Sequence, residues 1–464
     1  MKTVVQENAP HPAPFNTNSY GYDDLGNLTG LTDERGDTTQ NAYNQLSELT
    51  QKTLPGPSLT ETRNYDYAGN LTSLVHFDGT TTTYTYDALN RLTGRSSNST
   101  HAEPAVSFTY TPTGKYLTST AQDGAVSYNY DALDRLITKA TPEGTLSYTY
   151  YSTGKVESIQ SSNPNGANVS YTYDGLNRLS TVVDNRLPGI NTTRYTYDNA
   201  SNVVTVAYPN GVTSTSTYDE LNRLTELSTS ASGSQIADYR YTLGLTGNRT
   251  NATEQSGRTL QWTYNGIYQL TNENITGDPA NNNGNNGYAS YTLDPVGNRT
   301  AAPSTFSGFT PVFGSYNPND QLSGETYDNN GNVTGTANGN SYVYDSENHM
   351  IQMVKGATTI TMKYDAFGNR VSKTVNGVTT QYLVDDLNPT GYPQVLDELT
   401  GPIGSGVVQR TYSYGLQRIS QDQYISNAWL LSYYQYDGGG SVRQLTNSTG
   451  QVTDVSVWSF PIDV

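Results

Sequence analysis

The sequence predicts an all-β repeat protein: about eighteen tandem β-hairpins joined edge to edge into one long sheet. Three observations carry this reading. The phrase YTYDALNRLTG (84–94), or a worn copy of it, returns about every twenty-one residues, and the clearest copies are YNYDALDRLIT (128–138), YTYDGLNRLST (171–181) and STYDELNRLTE (216–226). The 464 residues include 39 Tyr and 43 Gly, the residue types of strands and of tight turns. No stretch places apolar residues at helical spacing over helical length.

Each unit opens with an alternating strand. In YTY, Tyr84 and Tyr86 share one face and Thr85 points the other way. An Asp then opens a turn, its carboxylate placed to accept backbone amides two or three residues on. Asp87, Asp131, Asp174 and Asp219 hold this place. Three residues later stands Gly in nine units, Gly69 and Gly368 among them, and Asn in four: Asn90, Asn177, Asn222 and Asn348. These residues tolerate positive φ, so a left-handed turn position is expected there. A second alternating strand follows and closes the hairpin. A row of catalytic carboxylates or calcium ligands is the rival reading of the Asp residues, but a group present in nearly every unit serves what every unit needs. An ion pair from Asp87 to Arg91 across the turn fits that role. The tyrosines are expected to stack in ladders, ring against ring, between neighbouring hairpins.

Along the chain, residues 1–19 read as a flexible leader, 20–375 as the repeats, 376–454 as a related core-like region and 455–464 as an atypical or truncated tail. Two insertions, TGDPANNNGNNG (276–287) and AAPSTFSGFTPVFG (301–314), read as long loops. Phe306, Phe309 and Phe313 in the second are aromatics outside the repeat, and so are candidate contact residues together with Trp458 and Phe460 of the tail.

The totals exclude several functions. A formal charge of −17 offers no basic stripe to nucleic acid or to an anionic membrane. There is no apolar run of membrane-spanning length, so no membrane insertion is expected, and the N-terminus has no signal-peptide core. Zero cysteines exclude disulfides and thiolate chemistry. The four histidines are scattered, with no pair at metal-ligand spacing, so no metal or other cofactor is expected. DGGGS (437–441) lacks the ending of a phosphate loop and aligns with the repeat's own turn.

The repeats resemble the YD repeats of the RHS family, which includes bacterial polymorphic toxins, insecticidal toxin-complex proteins and teneurins. The resemblance runs from about residue 20 to 454. It extends into YLVDDLNPTGYPQVLDE (382–398), RTYSYGLQRISQ (410–421) and YYQYDGGGSVRQLTNSTGQVTD (433–454), which look like the RHS-associated core. It implies a strip that curls into a spiral, hollow, barrel-like shell around a toxin or other C-terminal cargo domain, in a secreted or cell-surface bacterial protein. Eighteen hairpins make a strip roughly 170 Å wide, or about one ring of 55 Å diameter. In several relatives the core is an aspartyl self-protease. Asp437 matches its first carboxylate, but Asn447 stands where the later Asp is usual, and the cleavage motif is absent. An amide cannot share a proton with a carboxylate, so the expectation is a shell and not an enzyme. The alternative is a binding or adhesion module that meets cell-surface carbohydrate or protein through its Tyr-rich sheet and inserted loops. Unpaired strands at the strip's ends would favour self-association.

Overall fold

A computed structural model describes residues 2–6, 16–57, 59–99, 101, 103, 105–189, 191–279, 286–307 and 311–455. Among them are forty-one β-strands and no helix. The strands from Lys2–Gln6 through Gly287–Ser290 belong to a 26-stranded sheet, and those from Thr326–Tyr327 through Val452–Val455 to a 13-stranded sheet. Thr292–Leu293 and Arg299–Ala301 form a separate pair. Within residues 1–19, Lys2–Gln6 pairs antiparallel with Asn16–Tyr22.

The hairpin follows from its turn. Strand Thr81–Tyr86 pairs antiparallel with Leu92–Ser97, with Tyr84 opposite Arg95 and Thr85 opposite Gly94. The register then slips by one residue and Tyr86 faces Leu92. A left-handed residue at the end of a three-residue loop produces such a bulge. The same slip brings Tyr65 opposite Leu71, Tyr173 opposite Leu179 and Tyr436 opposite Val442. Two further hairpins join Val378–Asp385 to Gln394–Thr400 and Val407–Tyr414 to Arg418–Ile425. Their turns lack the Tyr-Asp pair, so the repeat phrase does not reveal them.

The connectors between hairpins use related turns at the opposite rim of the sheet. Gly36 N–H donates to the Asp33 carbonyl at 3.0 Å, Gly79 to His76 at 2.9 Å and Gly257 to Glu254 at 2.9 Å. Other connectors are two-residue turns with both residues at positive φ, as at Ser232 and Gly233 or Asn376 and Gly377.

The residues gather into two compact units. The first comprises Met1–Thr109, Thr120–Gln122 and Leu260–Gly368. In it the connector rim of residues 33–103 meets YD turns of residues 294–367. Arg35 Nη2 reaches Asp320 Oδ1 at 2.7 Å, and Asp78 N–H donates to Asn330 Oδ1 at 3.3 Å. Glu103 accepts Ser346 N–H at 2.8 Å.

The second unit comprises Tyr110–Ser119, Asp123–Thr259 and Asn369–Val464. Here two layers of strand pack face to face. Leu146, Ile159, Tyr171 and Tyr195 of one layer belong to a single apolar cluster with Leu383, Leu399, Tyr412 and Tyr414 of the other. Strand Gly144–Tyr150 shows how alternation produces this: Leu146 and Tyr148 are buried, whereas Ser147 and Thr149 are exposed.

Candidate functional site in the repeat

The element that recurs through the described residues is the turn and its tyrosine. Asp87 illustrates the turn. Its Oδ1 accepts Leu89 N–H at 2.9 Å and Arg91 N–H at 3.0 Å. Its Oδ2 accepts Arg91 Nε at 2.7 Å. The amides bound are thus two and four residues on, not two and three. The amide three on, that of Asn90, donates to the Asp87 carbonyl at 3.0 Å, because its left-handed backbone aims it there. Asp131, Asp174 and Asp219 repeat the arrangement with Arg135, Arg178 and Arg223. Asp66 and Asp198 use Asn70 and Asn202 instead.

These bonds favour the ionised carboxylate. Asp87 is held below the usual range by its backbone bond from Arg91 and the guanidinium beside it. Asp174 is lowered by the Arg178 guanidinium first and by the Arg178 backbone bond second. All eighteen turn positions lie at positive φ. Asn90, Asn177 and Asn222 have φ of 60–61°, Gly69 82° and Gly368 84°. Ser47, Asp134, Ser201, Tyr268 and Asp320 adopt the same conformation without being Gly or Asn.

The tyrosines correct the expected ladder. Tyr86 donates its hydroxyl to the Leu71 carbonyl at 2.9 Å, reaching the return strand of the preceding hairpin. Tyr65 does so to Leu49, Tyr150 to Leu136, Tyr197 to Leu179, Tyr218 to Val203 and Tyr436 to Arg418. Ring-to-ring contact is a local variation, as where Tyr173 meets Tyr151 edge-on at 6.2 Å. The Arg of the preceding turn covers the ring instead: Arg135 lies 4.7 Å from the Tyr150 centroid and Arg178 4.4 Å from that of Tyr197. Hairpin spacing explains the change. Successive YD tyrosines are two strands apart, roughly 10 Å, which is beyond stacking distance but within reach of an intervening carbonyl or guanidinium.

Asp437 and Asn447 do not meet as a pair of acids. They stand at opposite ends of strand Val442–Asn447, and each opens a turn. Asp437 Oδ1 accepts Gly439 N–H at 2.8 Å and Ser441 N–H at 3.1 Å, and its Oδ2 faces Arg443 at 3.2 Å. Asn447 Oδ1 accepts Thr449 and Gln451 N–H, both at 3.0 Å.

Phe306 corrects another expectation. It is only 6% exposed, its ring lying beside Gly287, so it offers no contact surface. Phe313 is 47% exposed. Phe309, Trp458 and Phe460 lie outside the described residues.

Two features of the second unit are not legible in the repeat phrase. One is a set of buried acids between its layers. Asp385 accepts the Tyr148 hydroxyl at 2.8 Å and is pushed up by burial. Asp397 accepts Ser161 Oγ at 2.6 Å and Ala167 N–H at 2.8 Å. Arg186 joins Asp184 to Asp422. These contacts lock the layers together. The other feature is an open cleft of about 350 Å³, lined by Tyr195, Tyr208, Tyr218 and Tyr436 together with Arg418 and Asp437.

Comparison with known proteins agrees with this geometry. A teneurin YD-shell family model matches residues 144–273, and an RHS-repeat model matches 65–101. A tRNA nuclease WapA from Bacillus subtilis is 28% identical over 183 residues, covering 37% of this chain and 7% of that protein. The tRNA3(Ser)-specific nuclease WapA of Bacillus spizizenii is 30% identical over 178 residues, 35% of this chain and 7% of that protein. This chain therefore spans a small fraction of the curated relatives it matches. The fold matches that of TcdB2-TccC3 without its hypervariable C-terminal region, with a TM-score of 0.75 at 16% identity over 97% of this chain and 26% of that one. It matches TcdB2-TccC3-Cdc42 with a TM-score of 0.74 at 15% identity, over 97% and 26%.

Proposed function

This chain belongs to the RHS/YD-repeat family, and from that premise we propose that it is a wall segment of a shell, a partial cocoon of the kind that encloses a toxin or other cargo domain. The observation that carries the proposal is the latch from most YD tyrosines to the preceding hairpin. It recurs from Tyr43 to Tyr436 and ties neighbouring repeats together through backbone carbonyls. Such latching makes a wall whose strength does not depend on any one repeat, and it leaves the sheet's faces to meet whatever lies against them. The strip performs no chemistry in this reading, since Asp437 is committed to its turn and to Arg443. The protein would act as a secreted or cell-surface bacterial component.

The test uses a small folded reporter joined after Val464, with a second fusion before Met1 for comparison. A wall that encloses a C-terminal domain slows proteolysis of the C-terminal reporter at least tenfold relative to the free reporter. Cleavage at the free rate would overturn the cocoon reading.

The cleft of tyrosines favours a second reading, a binding module for carbohydrate or protein, because several aromatic side chains and the Arg418 guanidinium line one opening, the groups that suit a sugar face. Titration with a panel of oligosaccharides, monitored by tyrosine fluorescence, addresses it. Loss of any response on changing Tyr218 to Ala would place the ligand there, and no response from the parent would remove this reading.

A further inference from the structure

We propose that a cavity in the first unit binds an amino sugar, a single polyhydroxylated ring that carries a protonated amine. The cavity is lined by connector residues at 78–80 and 99–101 and by hairpin residues at 328–346, and it measures about 250 Å³. At about 30 Å³ per water it has room for about eight, the space of one small sugar. The tyrosine cleft described above belongs to the other unit, so this site is a separate one.

The cavity has a local cause. Strand Val333–Gly335 pairs with Ser341–Tyr344 through Gly335 and Ser341 alone. The equivalent pairing of Leu71–Val75 with Thr81–Tyr86 runs over three residues. There Tyr86 latches to the Leu71 carbonyl. Tyr344 is the YD tyrosine of the shortened pairing, and its latch is not made. Neither its hydroxyl nor that of Tyr342 has a hydrogen-bond partner among the described residues, and both residues line the cavity. Burial holds the Tyr344 hydroxyl above its ordinary range, with Tyr342 and Asp328 adding to the effect, so it stays a donor. A partly buried phenol that bonds nothing in its own fold is served by water or by a ligand.

The walls select the ligand's charge. Asp78, Asp328 and Asp345 line the cavity, and its lining residues include His101 but no Lys or Arg. Asp328 and Asp345 are committed to their turns, where their Oδ1 atoms accept Asn332 and Glu347 N–H, each at 2.9 Å. Asp78 uses only one oxygen: its Oδ1 accepts Thr80 N–H at 2.8 Å and Thr80 Oγ1 at 2.6 Å. Its Oδ2 has no partner among the described residues. Three carboxylates without a matching base repel an acid and favour an amine. A plain amine would leave the two phenols unpaired, and a neutral sugar would leave Asp78 without its cation. A ring bearing both hydroxyls and an amine satisfies the whole set. The frame is already fixed, because Asp78 N–H donates to Asn330 Oδ1 and Glu103 holds Ser346 by its N–H and its hydroxyl. Walls set in advance need no ordering when the ligand arrives.

Isothermal titration calorimetry of the whole chain at about pH 6, where such an amine is protonated, tests the proposal. The probes are glucosamine, glucose, N-acetylglucosamine and putrescine. Glucosamine should bind about tenfold more tightly than each of the others, the worth of one charged hydrogen bond. Asp78→Asn keeps the turn but not the charge, and should bring glucosamine down to the level of glucose. Tyr344→Phe should weaken glucosamine and glucose alike by about fivefold, the worth of one neutral hydrogen bond. It should also melt like the parent, since its hydroxyl holds no latch. Tyr218→Ala, in the other cleft, should bind glucosamine as the parent does. A parent that ignores glucosamine, or that takes glucose, N-acetylglucosamine or putrescine as tightly, would overturn the proposal. So would parental binding in Asp78→Asn and Tyr344→Phe, or binding lost in Tyr218→Ala alone.

Discussion

The chain has 39 Tyr and only 8 Phe, and the residue-scale reason is the hydroxyl. A phenylalanine could fill the same half-buried position, but it could not reach the carbonyl of the preceding hairpin. Desolvation raises the Tyr86 hydroxyl's pKa, and that of Tyr173 to about 12, so both remain donors at any physiological pH. Tyr86→Phe should therefore lower stability by about 0.5–1.5 kcal/mol, the usual net worth of one such hydrogen bond. Urea unfolding monitored by circular dichroism measures this. A variant with parental stability would show that the Leu71 carbonyl is served equally well by water.

At the scale of the element, the hairpin is a product of its turn. The opening carboxylate, a left-handed residue and a bulge set the register, and the register sets which face is buried. Ser47, Asp134 and Tyr268 show that this geometry prevails even where the residue is a poor choice for positive φ. Connector turns bring different groups together. Glu143 is 4% exposed, and its carboxyl is pushed up to about 8 by burial and by its bond with Asp123, near the neighbouring connector. The folded protein therefore holds a proton on Glu143 that the unfolded chain releases near pH 4.5, so stability falls as pH rises from about 4.5 to about 8. Glu143→Gln keeps the hydrogen-bonding shape without the charge. Its melting temperature should exceed that of the parent by a margin that grows between pH 5 and pH 8. An unchanged margin across that range would mean that Glu143 is not the titrating group.

At the scale of the whole molecule, burial is uneven. In the second unit Leu146, Ile159, Tyr171, Leu383 and Leu399 are 2% exposed or less, and Tyr414 is 1% exposed. In the first unit strands Leu28–Thr32 and Leu49–Thr53 contain no fully buried residue. Amide protection follows dense burial and lost access to water. Hydrogen exchange should accordingly be slowest in Gly144–Tyr150, Asn168–Tyr173 and Val378–Asp385, and faster by at least a hundredfold in the two strands of the first unit. Uniform protection would show that the strip opens only as one cooperative body.

The sequence by itself determined the all-β class, the hairpin and the left-handed turn position. Each is a local property, settled within five to ten residues and repeated often enough to be read despite variation. It also showed Asp87 paired across its turn with Arg91, because both ends of that contact lie in one phrase. It could not show the tyrosine's partner, since a period of twenty-one residues does not say which atoms of adjacent repeats meet. Nor could it show that Phe306 is buried, or that turns without Tyr-Asp continue the strip through residues 378–425. Farther contacts were beyond it altogether. Glu103 meets Ser346 across 243 residues and Ser161 meets Asp397 across 236, and nothing in either segment names the other. Where the strip returns upon itself depends on twist and curl accumulated over many strands, and that sum is decided only by the tertiary structure.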